Sequence, residues 1–192
     1  MKSMIITDTC KLVHSVYTVD ETRVKTIAVN QQVGTKAFAN EATTECVLFD
    51  QHATVIGESA FENCKELQFV QWTRNGEMLA FESTEDESKR MDNLFDVAEK
   101  LTVQYRAFKD CGKLYAVVFP KINGSLIIEK EAFAGCTSLR TVVLPWNGTF
   151  TIADDAFLGC DKDKLVFAVT KGSKAENFAR QHGYRCVYGT NF

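Results

Sequence analysis

Residues Ile128–Pro145 read IEKEAFAGCTSLRTVVLP, a short polar turn followed by a strand-like run that ends in proline. Residues Val103–Pro120 repeat the phrase as VQYRAFKDCGKLYAVVFP, with an apolar residue, Ala-Phe, Cys, Leu and Pro at identical offsets. Three further copies are less complete. Ile56–Trp72 lacks the proline, Ile152–Leu165 has two additional residues between its cysteine and leucine, and Val33–Phe49 retains mainly Ala-Phe. Five copies of one phrase are specific evidence for a repeat protein.

The phenylalanines of the phrase set its period at 23 to 25 residues. The interval of 47 residues between Phe61 and Phe108 is read as two periods with one phrase overwritten. A fixed period in the twenties with a leucine-led strand is typical of a leucine-rich-repeat solenoid. The sequence therefore predicts one α/β solenoid domain, a right-handed stack with a parallel β-sheet on its concave side. Helical or 3₁₀ turns are expected on the convex side, with a cap at each end.

Phenylalanine and cysteine each recur at a fixed position in the repeated phrase. We expect their side chains to form a buried structural ladder, called the inner ladder below. Free cysteine is among the most buried residue types. An odd count of seven cysteines, with no C-x-x-C pair, does not suit a disulfide framework or a zinc site. The inner ladder comprises Phe38, Phe61, Phe108, Phe133, Phe157, Cys64, Cys111, Cys136 and Cys160.

The chain divides into five stretches. They are an N-terminal cap (1–32), repeats (33–72), an irregular stretch (73–101), repeats (102–165) and a C-terminal capping helix and strand (166–192). The N-terminal cap is expected to hold two β segments separated by Asp20–Thr22. The irregular stretch is either a divergent repeat with a longer convex helix at 91–101 or an insertion that carries a partner-binding surface. In the C-terminal cap, Ser173 and Glu176 predict a helix start, and Gly183 its end.

Composition excludes several classes of function. A net charge of -3 and a pI near 5.7 argue against a nucleic-acid partner. No apolar run is long enough for a membrane span. The N-terminus lacks the apolar core of a secretory signal, so either the protein stays inside the cell or a leader has been removed.

No catalytic residue, metal site or cofactor is predicted. The Cys10/His14 and Cys186/His182 pairs lie in opposite caps, and the histidines have no metal-binding spacing. The glycosylation-type triplets at Asn123 and Asn147 fall where a repeat turn requires Asn-Gly, so the turn interpretation is preferred.

Strand alternation predicts that Leu139, Val142 and Leu144, with their counterparts in the other repeats, point into the stack, and that a second set of side chains faces solvent on the concave sheet. Large apolar and aromatic residues are expected among them, and a contiguous exposed column of that kind is typical of an interaction surface. The predicted partner-binding residues are Glu45, Leu48, Gln68, Phe69, Gln71, Tyr115, Val118, Arg140 and Val143.

The phrase I/V-x-x-x-A-F-x-x-C-x-x-L-x-x-V-x-L-P, over about 33–188, resembles the Treponema-type leucine-rich repeat of the BspA-like proteins. The ending GSKAENFARQHGY resembles the terminal unit common in that family. The resemblance implies no enzyme activity and no cofactor. It implies a surface or secreted adhesin-like protein that binds another protein, such as a host-surface or extracellular-matrix protein. The alternatives are a structural or self-associating repeat segment, and a carbohydrate-binding module that uses Phe69 and Tyr115.

Overall fold

A computed structural model describes residues 2–7, 14–19, 21–27, 32–50, 52–73, 96–97, 100–122, 124–144 and 149–188. A 3₁₀ turn spans Glu21–Arg23, and helix α1 spans Lys174–Gln181. The strands in chain order are β1 (Lys2–Thr7), β2 (His14–Val19), β3 (Val24–Ile27), β4 (Cys46–Asp50), β5 (Val55–Ile56), β6 (Phe69–Thr73), β7 (Asp96–Val97), β8 (Lys100–Val103), β9 (Ala116–Val118), β10 (Lys121–Ile122), β11 (Ser125–Ile128), β12 (Thr141–Leu144), β13 (Thr149–Ile152), β14 (Val166–Val169) and β15 (Arg185–Tyr188).

Two parallel sheets run along the stack. The large sheet has seven strands in the order β15-β14-β12-β9-β6-β4-β3, and the small sheet has four in the order β13-β11-β8-β5. The large sheet is the one predicted from the leucine-led strands. The small sheet was not predicted, although each of its strands ends at the apolar residue that opens a phrase.

The core lies between the two sheets. In β12, Val142 and Leu144 point inward and are buried. Leu139, which lies just before the strand, is also buried in the core. The corresponding residues of the two preceding layers, among them Trp72 and Phe119, belong to the same core cluster. The inward positions predicted from strand alternation are therefore confirmed.

The repeat phenylalanines stack as a column through the core. Ring centroids are 5.1 Å apart for Phe38–Phe61, 5.2 Å for Phe61–Phe108, 5.2 Å for Phe108–Phe133 and 5.3 Å for Phe133–Phe157. This spacing is close to the distance of about 4.8 Å between neighbouring strands, because each layer contributes one ring. Phe38 ends the column, is half-buried, and has the ammonium group of Lys25 4.4 Å from its ring.

The column corrects the interpretation of the 47-residue interval. Phe61 and Phe108 are direct neighbours, with rings 3° from parallel, and β6 pairs with β9. The residues between β6 and β8 therefore add no layer between these two repeats.

The helix predicted for 91–101 is wrong where the chain is described. Asp96–Val97 is strand β7, paired with β10, and Lys100–Val103 is strand β8 in the small sheet. Leu101 and Val103 are fully buried and alternate with period two, so pairing with two neighbouring strands decides their conformation. Met91, Leu94, Phe95 and Ala98 lie outside the described residues.

The Ala-Phe-x-x-Cys segments form successive β-turns in place of the predicted helical or 3₁₀ turns. In one repeat the N–H groups of Ala60, Glu62 and Cys64 bond back three residues along the chain. The alternate N–H groups, those of Ser59 and Phe61 among them, bond to carbonyls of the next layer at 2.7 to 2.9 Å. A helix would direct every N–H along its own axis, whereas here alternate groups join neighbouring layers.

Both ends of the described chain are built differently from the repeats. The two expected N-terminal β segments are confirmed as β2 and β3, while Val13 and Val29 lie outside the described residues. Strand β1 pairs antiparallel with β2, which was not predicted. At the other end, Ser173 caps α1 by accepting a hydrogen bond from the Glu176 N–H, and β15 follows as expected.

Candidate protein-binding surface

The face of the large sheet directed away from the core, called the outer face below, is the predicted concave surface. Parallel pairing in register places equivalent side chains in rows across the strands. One row contains Phe69, Ala116, Thr141, Val166 and Arg185, which come from β6, β9, β12, β14 and β15 respectively. The second row, two positions further along each strand, is Leu48, Gln71, Val118, Val143, Ala168 and Val187.

Four of the residues predicted to be exposed on this face are buried. Leu48 is 3%, Phe69 1%, Gln71 1% and Val118 6% exposed, so the exposure predicted for them is wrong. None of the four belongs to the core cluster between the sheets. Their burial therefore comes from other atoms of the chain on the outer side of β4, β6 and β9. Tyr115 contributes, with its ring centroid 6.3 Å from that of Phe69.

The outer face becomes accessible toward the C-terminal strands. Val143 and Thr141 in β12 are half-exposed, and so is Val187 in β15. Val166 and Ala168 in β14 retain 8% exposure. The outer face is therefore covered over β4, β6 and β9. Its half-exposed side chains lie on β12 and β15, on either side of the buried residues of β14. These three C-terminal strands are called the open half below.

The remaining predicted site residues lie just before the strands. Glu45, Gln68, Tyr115 and Arg140 are half-exposed and occupy successive layers. Their backbones are joined by bonds of 2.7 to 2.9 Å, each N–H donating to the carbonyl of the preceding layer. The carboxylate of Glu45 pairs with the guanidinium of Arg23.

Ion pairs between layers continue along this edge of the sheet but stop before Arg140. Glu66 lies 3.6 Å from Arg23 and 2.8 Å from Lys113, linking three layers. The guanidinium of Arg140 instead donates to the carbonyls of Thr137 and Leu139 at 3.0 Å. Among the described residues Arg140 forms no close ion pair, although its charge helps to lower the pKa of the Asp161 carboxyl, after the larger effect of Lys164. The open half of the outer face thus begins beside an arginine without a close ion pair.

Gln71 is a buried polar group in an apolar row. Neither its amide nitrogen nor its amide oxygen has a hydrogen-bond partner. Leaving a buried polar group unsatisfied costs about 1–3 kcal/mol. This side chain therefore does not stabilise the covered half of the face in the conformation described.

The cysteines of the inner ladder are structural in their geometry. The thiols of Cys64, Cys111, Cys136 and Cys160 donate to the carbonyl of the phenylalanine in the preceding layer at 3.1 to 3.3 Å. Burial raises the pKa of Cys136 well above its ordinary value and that of Cys160 to about 12. Such thiols remain protonated at neutral pH and are poor nucleophiles.

The cap histidine is held in place by neighbouring groups. His182 Nε2 lies 3.3 Å from an Asp154 carboxylate oxygen, and Nδ1 lies 2.9 Å from the Phe178 carbonyl. Burial raises the pKa of the Cys186 thiol, and the structure gives no contact between that thiol and His182. Within the described residues, no group of three His, Cys, Asp or Glu side chains is placed to hold a metal. Cys10, Asn123 and Asn147 lie outside those residues.

A groove of about 330 Å³ between β13 and α1 was not predicted. The strand side contributes Phe150 and Ile152, and the helix side contributes Lys174, Asn177 and Phe178. The sequence did contain a signal for it, since the last layer was predicted to have a helix. A helix cannot pair with the edge strand of the small sheet, so a gap between the two elements could have been expected.

These features define the class: two parallel sheets, stacked phrase residues and layer-to-layer turns form a leucine-rich-repeat solenoid. The chain belongs to the family of the BspA-type leucine-rich repeat region, whose model matches six copies over residues 17–92 and 101–179. Repeats of this family serve generally as protein-interaction modules and are typically non-enzymatic. Among the described residues, none forms a helix long and apolar enough to cross a membrane.

Solved structures of similar proteins were also found. A leucine-rich repeat protein from Bacteroides ovatus aligns with a TM-score of 0.49 and 15% identity, over 86% of this chain and 42% of that one. The pneumococcal vaccine antigen PcpA aligns with a TM-score of 0.25 and 12% identity, over 86% of this chain and 60% of that one. The chain thus spans less than two thirds of either protein. No curated protein matches it.

Proposed function

We propose that the chain is a non-enzymatic protein-interaction module whose partner contacts the open half of the outer face, on β12, β14 and β15. The observation that carries the proposal is the change in accessibility along one row. In that row Gln71, Val118 and Ala168 are buried, whereas Val143 and Val187 are half-exposed. A partner protein that packs on the sheet reaches apolar side chains only in the open half.

The composition of the open half supports a protein partner. Val143 and Val187 provide apolar area, and Arg140 and Arg185 lie at its edge. Apolar area beside arginine is typical of protein interfaces, where arginine is enriched among the residues that dominate binding. An adhesin-like role, with a host-surface or extracellular-matrix protein as the partner, follows from the family and is part of this proposal.

Carbohydrate binding has less support. It required Phe69 and Tyr115 as an exposed aromatic platform, and Phe69 is 1% exposed. Stacking on a sugar ring needs an accessible ring face, which Phe69 does not provide.

The test compares two apolar-to-glutamate substitutions on opposite sides of the solenoid. Val143→Glu places a charge in the open half of the outer face. Leu158→Glu is the matched control, because Leu158 is 62% exposed and lies on a convex turn. Each variant is immobilised, proteins captured from host and bacterial extracts are quantified by mass spectrometry, and binding is repeated with the purified partner.

The proposal predicts a protein that binds the wild-type chain and Leu158→Glu but binds Val143→Glu at least about tenfold more weakly. Thermal unfolding checks that both variants remain folded. Equal capture by all three chains, or capture by none of them, would overturn the assignment of the surface.

A further inference from the structure

The large sheet ends at β15, and the hydrogen-bond pattern determines which backbone groups lie on its outer edge. The N–H of Val166 donates to the Arg140 carbonyl at 2.8 Å, so this residue bonds toward β12. Alternation then directs the backbone of Phe167 toward β15, where its register partner is Cys186. In a parallel ladder, Phe167 bonds to the residues on either side of its partner, Arg185 and Val187. The N–H and C=O of Cys186 therefore point away from the sheet.

The edge at Cys186 is unpaired in the part of the chain that the structure describes. No strand lies beyond β15 in the sheet order, and no backbone bond to Cys186 is present. The preceding residue on the same edge, Tyr184, has its N–H bonded to the Ala179 carbonyl of α1, and its own C=O accepts no backbone hydrogen bond from the described residues. An edge strand with unused donors and acceptors is a template for another extended chain.

Charge indicates what kind of chain the edge suits. Residues 171–188 contain four cationic side chains and one carboxylate, Glu176, in a protein whose net charge is -3. The carboxylate is already paired with Arg180 at 2.7 Å and accepts hydrogen bonds from Gly172 N–H and the Tyr188 hydroxyl. Lys171, Lys174 and Arg185 are exposed and have no ion-pair partner among the described residues.

We propose that β15 binds an acidic, extended segment of a partner protein, which adds an eighth strand to the large sheet. Its acidic side chains would lie beside Arg185 on the outer face. Its apolar side chains would alternate with them and lie beside Cys186, which packs on the core from the other face. A second copy of this chain is a poorer occupant, because two cationic caps would face each other.

This proposal concerns the edge of β15, and it does not depend on the function proposed for the outer face. The probe is a fluorescent peptide of about eight residues with alternating glutamate and valine, and the binding assay is fluorescence anisotropy. The controls are the lysine–valine peptide and two glutamate–valine peptides that carry N-methyl groups on alternate amides. Each methylated peptide can pair through only one of its edges.

We expect the glutamate–valine peptide to bind, with affinity that falls as salt rises, and the lysine–valine peptide to bind at least about tenfold more weakly. One methylated peptide should lose binding and the other should retain it. Amide hydrogen exchange at Cys186 should slow when the peptide is bound. Equal binding of the two charge types, or retention of binding by both methylated peptides, would overturn the proposal.

Two pairs of variants test the residues. Arg185→Glu should weaken binding of the acidic peptide about tenfold, and Arg185→Lys should largely restore it. Cys186→Pro removes an N–H that makes no bond to β14, and proline is tolerated at such edge positions. Cys186→Ala is its matched control. If Cys186→Pro fails to fold, the methylated peptides decide the question. A concentration-dependent dimer that Cys186→Pro dissociates would assign the edge to a second copy and overturn the proposal.

Discussion

Replacing Phe133 by alanine is the sharpest test of the stacked architecture. The side chain is fully buried, with one ring at 5.2 Å on one side and another at 5.3 Å on the other. A cavity left by Phe→Ala typically costs about 3–5 kcal/mol, and aromatic pairs contribute about 0.5–1.5 kcal/mol each. Because both neighbouring layers lose a contact, we expect a loss in the upper half of that range.

The measurement is urea-induced unfolding with linear extrapolation, followed by circular dichroism. Phe38→Ala is the matched control, since among the described residues Phe38 ends the column, is half-buried and has one stacked neighbour. Its cost should be less than half that of Phe133→Ala. A loss below about 1 kcal/mol for Phe133→Ala, or equal losses for the two variants, would refute the role of the column.

Three further predictions concern other parts of the stack. Gly57→Ala should destabilise the protein by about 1–3 kcal/mol in the same urea assay, because a Cβ there would lie 2.5 Å from the Val33 carbonyl oxygen. An unfolding free energy equal to that of the wild type would show that the backbone at Gly57 can move away from the backbone at Val33 at little cost. Cys136 should resist alkylation at pH 8 until the protein unfolds, since burial raises its pKa, and mass spectrometry of the native protein would detect any labelling. The pKa of Glu176 is lowered from 4.5 to about 2 by the Gly172 N–H and then by its side-chain partners, so its contribution to stability is complete above pH 4.5 and is lost as the pH falls toward 2. Unfolding measured across that range should show a smaller pH dependence for Glu176→Gln, and an unchanged dependence would contradict the assignment.

The repeat phrase was sufficient to predict the inward side of the large sheet and the C-terminal cap. Leu139, Val142 and Leu144 have counterparts at the same offsets in other repeats, and Val142 and Leu144 alternate with period two along the strand. A parallel stack offers one place for such a pattern. Ser173 and Gly183 mark the ends of α1 through local backbone chemistry, so no tertiary information was needed.

The layer count could not be read from spacing alone. The period treats 47 residues as two layers, but the distance along the chain does not record whether a segment lies inside the stack or beside it. Direct stacking of Phe61 on Phe108 resolves this. The turn conformation was missed for a related reason. Alternate N–H groups bond to the next layer, and a single repeat does not contain its neighbour.

Accessibility of the outer face was the other failure, and it bears on function. Alternation assigns Leu48 and Phe69 to the correct face, but a side chain on that face is exposed only if nothing else covers it. The apolar character that suggested a binding surface is equally the character of residues that the chain itself buries. The open half differs because Val143 and Val187 lie near Arg140 and Arg185, which form no close ion pair among the described residues. An apolar patch that the chain itself covers needs no charged residues around it. A surface that binds a partner protein from solution benefits from them, because complementary charge speeds association and disfavours wrong partners. The coincidence of half-exposed valines with arginines that form no close ion pair among the described residues therefore favours the C-terminal end of the sheet as the binding region.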